Sequence, residues 1–216
     1  LMMAPYTIAH MKLGMTLKET GVEELNDRLG IYLTNTLEEG VPLQRDLFSF
    51  GLAEAVSEES RLAAQVKSEH PVMVVMGNPP YSGESSNKTK FAEKLVDKYR
   101  VELGGKQRLQ EANYKWLGDD YVKFIAFAED LILKNGEGVL AMITNNGYLQ
   151  NPTFRGMRWK LTQTFDKIFI VDLHGSAKKR EVAPDGSRDE NVFDIRLGVA
   201  IIVAVKTRSG PKSSEV

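Results

Sequence analysis

Residues 72–81 read VMVVMGNPPY, and this stretch decides the fold class. The uninterrupted apolar run before Gly77, rich in valine, is typical of a strand buried on both faces, as in a parallel sheet. The run stops at a turn with two prolines, which fix the backbone φ angle and lack N–H donors. A buried strand that ends in a rigid polar turn predicts an α/β sheet with a ligand site at the carboxyl end of the strand.

Further apolar runs alternate with amphipathic segments along the chain. We predict strands at residues 29–33, 139–144 and 168–173, and helices at 3–17, 54–67, 119–133 and 154–165. Such alternation indicates helices on both faces of a sheet. The helix at 119–133 has the clearest ends, because Asp119 can cap it and Asn135-Gly136 can close it. Residues 192–205 follow a strand without an intervening helix, so they predict an antiparallel edge strand or a hairpin.

The composition indicates a globular domain. The chain has 216 residues, of which 42% are hydrophobic and 26% are charged, and this length can bury a real core. No segment has the apolar length of a membrane helix, and the first residues do not resemble a signal peptide. We therefore expect a cytoplasmic protein with no membrane partner. The net charge of −1 predicts no broad basic surface, so most of any grip on DNA would lie outside this chain.

The numbers of cysteines and histidines limit the kinds of site that the chain can form. The chain has no cysteine, which excludes disulfides, thiolate metal sites and cysteine nucleophiles. Its three histidines, His10, His70 and His174, are widely scattered, and we predict no metal site.

The tetrapeptide Asn78-Pro79-Pro80-Tyr81 carries the groups that can hold an exocyclic amine. The Asn78 side chain supplies a carbonyl acceptor, and the carbonyls beside the prolines face no competing amides. Accepting both amine hydrogens draws the nitrogen lone pair out of conjugation, so the nitrogen becomes nucleophilic. Tyr81 offers an aromatic face for a planar substrate, and a base within a duplex must be flipped out to reach it. A proline-stiffened turn is the structural alternative, but the full tetrapeptide after a buried strand favours an amino-methyltransferase site.

At this point the sequence resembles a known family. The tetrapeptide matches the catalytic motif of amino-methyltransferases that use S-adenosylmethionine, and the similarity extends from residue 4 to residue 206. Four further blocks occur in the family's order: WLGDDYVKF at 116–124, NPTFRGMR at 151–158, DLHG at 172–175 and NVFDI at 191–195. Together they resemble the methyltransferase region of large single-polypeptide restriction–modification enzymes (type I-like, type ISP or type IIG) that methylate adenine N6 in DNA.

The resemblance implies a fold, a cofactor and partners. It implies a Rossmann-like methyltransferase fold in residues 1–208, followed by a polar tail or linker at 209–216. The cofactor would be S-adenosylmethionine and the substrate double-stranded DNA. In such enzymes nuclease and helicase-like parts of the same polypeptide precede this region, and a target-recognition domain follows it.

The resemblance also implies roles for single residues. Asn78, Pro79, Pro80 and Tyr81 form the catalytic set, in which Asn78 and the Pro79 carbonyl hold the adenine amine and Tyr81 stacks on the flipped base. Phe193 is a candidate for the opposite face of that base, with a core aromatic as an equal alternative. Asn35 stands where the family has a polar residue near the cofactor's adenine, although aspartate is more usual there.

One expected part of the family pattern is absent from this sequence. The glycine-rich cofactor loop and the acidic residue that binds the cofactor ribose should precede the helix at 3–17. We therefore expect an incomplete sheet that lacks its first strands, with strand 72–76 central or near an edge. We also expect self-association through the exposed edge and no tight binding of S-adenosylmethionine by this chain alone.

Three alternatives to a DNA adenine-N6 methyltransferase fragment stay open. A protein glutamine-N5 methyltransferase uses the same tetrapeptide, but the blocks at 116–124 and 191–195 argue against it. A cytosine-N4 methyltransferase more often has serine in place of Asn78. The third alternative is an inactive interaction or structural fragment, and by itself the chain is expected to be inactive.

Overall fold

The computed structural model describes residues 3–22, 28–38, 52–81, 83, 85, 87–110, 114–179 and 181–208. The predicted tail at 209–216 lies outside these residues. The chain divides into two compact units, Leu1–His70 and Pro71–Val216, and each is described by itself. Among the described residues, no helix combines the length and the apolar character needed to cross a bilayer.

The described residues of the first unit form two helices, α1 (Met3–Glu19) and α2 (Leu52–Glu69). The strand predicted at 29–33 is wrong, because this segment is irregular. The backbone N–H of Leu33 donates to the Glu59 carboxylate at 3.1 Å, and the carbonyl of Ile31 accepts from Arg28 at 2.9 Å. Side chains therefore satisfy backbone groups that a neighbouring strand would otherwise bind.

The helices of the second unit are α3 (Lys90–Asp97), α4 (Asp120–Asn135), the single turn α5 (Gly147–Gln150) and α6 (Arg155–Thr164), with 3-10 turns at Lys115–Gly118 and Pro152–Phe154. Of these, α4 and α6 begin and end within two residues of the predicted bounds, 119–133 and 154–165. The predicted ends of α4 are confirmed. The Asp119 side chain accepts from the N–H of Asp120, and Gly136 closes the helix with a φ angle of 82°, a conformation that glycine adopts without steric cost.

Four strands form the sheet of the second unit: β1 (Val74–Gly77), β2 (Gly138–Asn145), β3 (Lys167–His174) and β4 (Val199–Lys206). Their order is β1-β2-β4-β3, with β1 parallel to β2 and β4 antiparallel to both of its neighbours. The antiparallel direction of β4 is as predicted, but its edge position is wrong. Strand β4 pairs along its whole length with β2 and with β3, so it lies inside the sheet.

Burial within this sheet is one-sided, which corrects the prediction of a strand buried on both faces at 72–76. Strand β1 lies at an edge of the sheet, and its Val74 and Met76 side chains are 57% and 77% exposed. In β2, buried residues alternate with half-buried ones, as expected when a helical layer packs on one face only. Leu140, Met142 and Ile202 belong to the buried face, and α4 packs against β2.

A buried carboxylate joins the three larger helices of the second unit. Glu129 of α4 is fully buried. It accepts from the Tyr99 hydroxyl at 2.9 Å and from the Thr164 hydroxyl at 2.5 Å. The ammonium of Lys98 lies 2.8 Å from the same carboxylate. Because Lys98 and Tyr99 follow α3 and Thr164 ends α6, this cluster fixes both helices to α4.

Candidate active site

The tetrapeptide lies directly behind the carboxyl end of β1. Asn78 and Pro80 are exposed, Pro79 is buried and Tyr81 is half-buried. Burial raises the pKa of the Tyr81 hydroxyl, so this phenol stays protonated at neutral pH. The turn is thus anchored by one proline, while the Asn78 side chain remains accessible to a ligand.

The carboxyl end of β2 lies at the same edge of the sheet, because β1 and β2 are parallel. There Asn146 donates from its side chain to the Asp172 carboxylate of β3 at 2.9 Å, and its backbone N–H donates to the Gly198 carbonyl at 2.9 Å. A side-chain carbon added at Gly198 would lie 2.6 Å from the side-chain amide of Asn146, so a larger residue here would displace the Asn146 side chain.

Asp172 is held as a carboxylate at this junction. Burial alone would raise its pKa. The hydrogen bonds from the Asn146 side chain and the His174 backbone N–H outweigh that effect, and the pKa of Asp172 is lowered. The hydrogen bonds of Asn146 and Asp172 thus fix β2, β3 and β4 to one another at this edge of the sheet.

The loop behind Tyr81 is bound to the start of α4. The N–H of Gly83 donates to the Asp119 carboxylate at 3.0 Å. The Ser85 hydroxyl donates to Asp120 at 2.5 Å and accepts from the Lys123 ammonium at 2.6 Å. Lys123 also donates to the Asn87 carbonyl at 2.5 Å.

Phe193 lies in the irregular loop between β3 and β4, and Asn191 organises that loop. The Asn191 side chain donates to the carbonyls of Gly175 at 3.0 Å and Leu197 at 2.6 Å, and it accepts from the Phe193 N–H at 2.9 Å. The Phe193 ring is 38% exposed, which fits a surface aromatic better than a core one. Ring contacts between described residues do not include a pair of Tyr81 and Phe193, so their sandwich stays a prediction.

Asn35, the predicted cofactor residue, belongs to the first unit and stabilises a turn there. Its side-chain oxygen accepts from the Leu37 N–H at 3.1 Å, and its amide nitrogen donates to Glu38 at 3.0 Å. These contacts assign Asn35 a structural role in the turn, and its role near the cofactor stays a prediction.

The rest of the described chain does not offer a better site. A depression of about 510 Å³ lies on the loop at 177–188, between Glu181 and Arg188, and none of residues 78–81 lines it. Within the described ranges, no three histidine, aspartate or glutamate side chains converge as metal ligands would. The chemistry of the tetrapeptide remains the best indication of the site.

Sequence reasoning missed three residues that organise these loops: Asp119 as a loop ligand, Lys123 and Asn191. No signal marked Lys123, because a lysine two residues from both Tyr121 and Ile125 lies on another side of the helix from these apolar residues, where sequence reasoning expects a solvated charge. Asp119 was identified only as a helix cap, since its second oxygen binds a residue far away in sequence.

Solved structures of large enzymes contain the same fold. The chain is similar to the ATP-dependent Type ISP restriction–modification enzyme LlaBIII bound to DNA, with 29% identity and a TM-score of 0.72 over 94% of this chain. The DrdV–DNA complex shares 25% identity and a TM-score of 0.72, also over 94% of this chain. A nuclease-deletion mutant of the Type ISP enzyme LlaGI, in complex with a DNA substrate mimic, matches 97% of this chain at 24% identity and a TM-score of 0.72, which shows the fold alone.

The chain spans a small part of each of these proteins, 14% of LlaBIII, 19% of DrdV and 17% of LlaGI. A search of curated proteins gave no match. The family model of the Eco57I restriction-modification methylase matches residues 7–178, which cover most of the first unit, a large part of the second and the whole tetrapeptide. The resemblance drawn from the sequence blocks is thereby confirmed, and the chain belongs to the Eco57I restriction-modification methylase family.

Proposed function

We propose that this chain is the catalytic part of a DNA methyltransferase that transfers a methyl group from S-adenosylmethionine to N6 of a flipped-out adenine. The observation that carries the proposal is the Asn78–Tyr81 tetrapeptide at the carboxyl end of β1, in a chain of a restriction-modification methylase family. Ligands of open α/β sheets bind at this end of the strands.

In the proposed reaction, the chain's own groups hold and orient the adenine amine. The Asn78 side-chain oxygen and the Pro79 carbonyl accept its two hydrogens, which directs the nitrogen lone pair toward the incoming methyl group. The Tyr81 ring stacks on the base, and Phe193 is proposed for its other face. Because Pro79 is buried and lies between two residues with restricted backbones, the backbone that carries the two acceptors has little conformational freedom.

S-adenosylmethionine supplies an electrophilic methyl group when it is bound. We propose Asn35 as a residue near the cofactor's adenine, and the support for it is the family resemblance of the sequence. We propose no further cofactor ligand among the described residues.

We further propose that the sheet of the second unit is one part of a Rossmann-like methyltransferase sheet. The support is the mixed strand order, in which the antiparallel β4 lies between β2 and β3, together with the similarity to large enzymes solved with DNA. By the same similarity, the partners of this region would be double-stranded DNA and the nuclease, helicase-like and target-recognition domains of one polypeptide.

The test is a methyl-transfer assay with the full-length protein, radiolabelled S-adenosylmethionine and unmethylated DNA that contains many different sequences. Digestion to nucleosides followed by mass spectrometry identifies the modified base. We expect N6-methyladenine, and we expect none from a preparation in which Asn78 is replaced by alanine.

Other products would overturn specific parts of the proposal. N4-methylcytosine would show that the pocket takes cytosine, and label on glutamine of a protein would show a protein methyltransferase. Absence of transfer to any of these acceptors would favour an interaction or structural role.

A further inference from the structure

Three charged side chains at the start of α4 are buried around the loop that follows Tyr81. Asp119 and Lys123 each have only 3% of their surface exposed, and Asp120 has 6%. Their polar atoms bind three positions of the loop: the Gly83 N–H, the Ser85 hydroxyl and the Asn87 carbonyl. The Ser85 hydroxyl additionally accepts from the Asn87 N–H at 3.0 Å. We call Asp119, Asp120 and Lys123 the loop clamp.

The loop clamp binds the loop in addition to capping α4. One side-chain oxygen is enough to cap α4, and the Asp119 oxygen that binds the Asp120 N–H at 2.7 Å already does this. The second oxygen of Asp119 is used on Gly83. Burial raises the pKa of Asp119 and lowers the pKa of Lys123, which reflects the cost of removing these charges from water. Buried charges of this kind are compatible with a stable fold when oppositely charged or hydrogen-bonding partners lie in good geometry around them.

The bound loop lies immediately behind the tetrapeptide. Gly83 is two residues from Tyr81, and its φ angle is 78°, a conformation that side chains other than glycine adopt with strain. A side-chain carbon added at Gly83 would be in ordinary van der Waals contact with the Trp116 ring, at 3.7 Å, so the backbone conformation and not a lack of space favours glycine here. The Asp119 carboxylate holds Gly83, two residues beyond Tyr81, through its backbone N–H.

We propose that Asp119 and Lys123 are positioning residues of the transfer reaction, which act through Gly83, Ser85 and Asn87 to hold the Tyr81 ring and the Asn78–Pro79 acceptors in one geometry toward the base. This inference rests on the proposed function. The clamp residues bind the loop and not the substrate, so they determine how accurately the amine is placed. Small errors in the placement of reacting groups reduce catalytic rates strongly.

The variants are chosen to separate the loop contact from the helix cap. Asp119→Ser keeps a good N-cap for α4, but serine is too short to reach Gly83 as well. Ser85→Ala removes the hydroxyl that joins Asp120 to Lys123, and Ser85→Thr restores it. Asp130→Ser is the matched control, because Asp130 lies on the same helix, is half exposed and binds Lys98 instead of the loop.

Three quantities are measured on the full-length protein: kcat for DNA methylation, the dissociation constant of S-adenosylmethionine, and hydrogen exchange of peptides that cover residues 81–87. We expect Asp119→Ser and Ser85→Ala to lower kcat by about 10- to 100-fold, with faster exchange in the loop and unchanged cofactor affinity. Ser85→Thr and Asp130→Ser should keep the kcat of the unsubstituted enzyme.

Two results would overturn the inference. The first is an unchanged kcat in Asp119→Ser and Ser85→Ala although the loop exchanges faster. The second is a fall in kcat that is matched by weaker cofactor binding and by a lower thermal midpoint, which indicates a purely structural role. If Asp119→Ser does not fold, Ser85→Ala against Ser85→Thr decides. If the wild-type enzyme makes no N6-methyladenine, the proposed function is wrong. If the wild type and the variants are all active, only the inference about Asp119 and Lys123 is wrong.

Discussion

At the scale of single residues, the tetrapeptide combines one buried and two exposed positions. Pro79 is buried while Asn78 and Pro80 are exposed, so the turn is anchored without covering its hydrogen-bonding side chain. The identity of the tetrapeptide was readable from sequence because its chemistry is local. The contact between Gly83 and Asp119 was not readable, because it joins loop and helix residues far apart in the chain.

Replacing Asn78 with alanine tests the acceptor role directly. The residue is exposed at a strand end, so the unfolding midpoint should stay near that of the wild type. Loss of a transition-state hydrogen-bonding group should lower kcat by about 10²–10³. The measurement is methyl transfer to DNA alongside thermal unfolding, and a variant with nearly normal transfer would contradict the catalytic assignment.

Tyr81 is predicted to act through its ring. Tyr81→Phe should retain most activity, whereas Tyr81→Ala should weaken base capture by roughly 1–3 kcal/mol, the usual contribution of stacking one base on an aromatic side chain. Steady-state kinetics with DNA as the varied substrate separates the two variants. Equal impairment in both would show that the hydroxyl is the working group.

At the scale of elements, capped helices were the most predictable parts of the fold. Both ends of α4 were foreseen, because Asp119 and Gly136 carry local signals. The exposure of β1 was not foreseen, since an apolar run does not reveal how many of its faces are covered. The place of β4 between β2 and β3 was not readable either, because strand pairing depends on residues distant in sequence.

Glu129 and Asp130 form a matched pair for testing how α3, α4 and α6 are held together. Lys98 binds both carboxylates, but Glu129 is fully buried and Asp130 is 50% exposed. Glu129→Gln should lower the free energy of unfolding by about 3–5 kcal/mol, because the Lys98 ammonium and the two hydroxyl donors would lose the negative charge that they bind. Asp130→Asn should cost less than about 1 kcal/mol. Urea unfolding measures both values, and equal losses would contradict the assigned role of the buried cluster.

The junction of β2 and β3 predicts a pH dependence of stability. The pKa of Asp172 is lowered in the folded state, so its contribution is present above the unfolded-state pKa of about 3.9 and is lost as the pH falls through the folded-state value. The difference in unfolding free energy between wild type and Asp172→Asn should therefore shrink in acid below about pH 4. A difference that stays constant across this range would contradict a charged Asp172 at the junction.

At the scale of the whole molecule, one face of the sheet carries a continuous apolar row. The strand registers align Met76, Ala141, Val203 and Phe169 across all four strands, and the two outer members of the row are 77% and 58% exposed. Exposed apolar surfaces of this kind favour association.

We therefore expect the 216-residue chain to self-associate, and we expect the double substitution Met76→Lys with Phe169→Lys to shift it toward monomer. Leu133→Lys, which introduces the same charge at an exposed apolar position of α4, is the control and should leave association unchanged. Sedimentation velocity over a range of concentrations distinguishes these cases. A wild-type chain that stays monomeric would contradict the prediction.

The interior position of β4 has a consequence for how this molecule forms during synthesis. Within the described part of the chain, β3 pairs with β4 alone, and β4 is the later of the two to leave the ribosome. Residues 167–174 of β3, which are largely apolar, therefore lack their native strand partner until residues 199–206 have been synthesised. Strand β4 then has to insert between β2 and β3, which have both been synthesised before it. Nascent chains are vulnerable to misassembly in such intervals, so the speed of translation between residues 174 and 199 should influence how much protein reaches the native state.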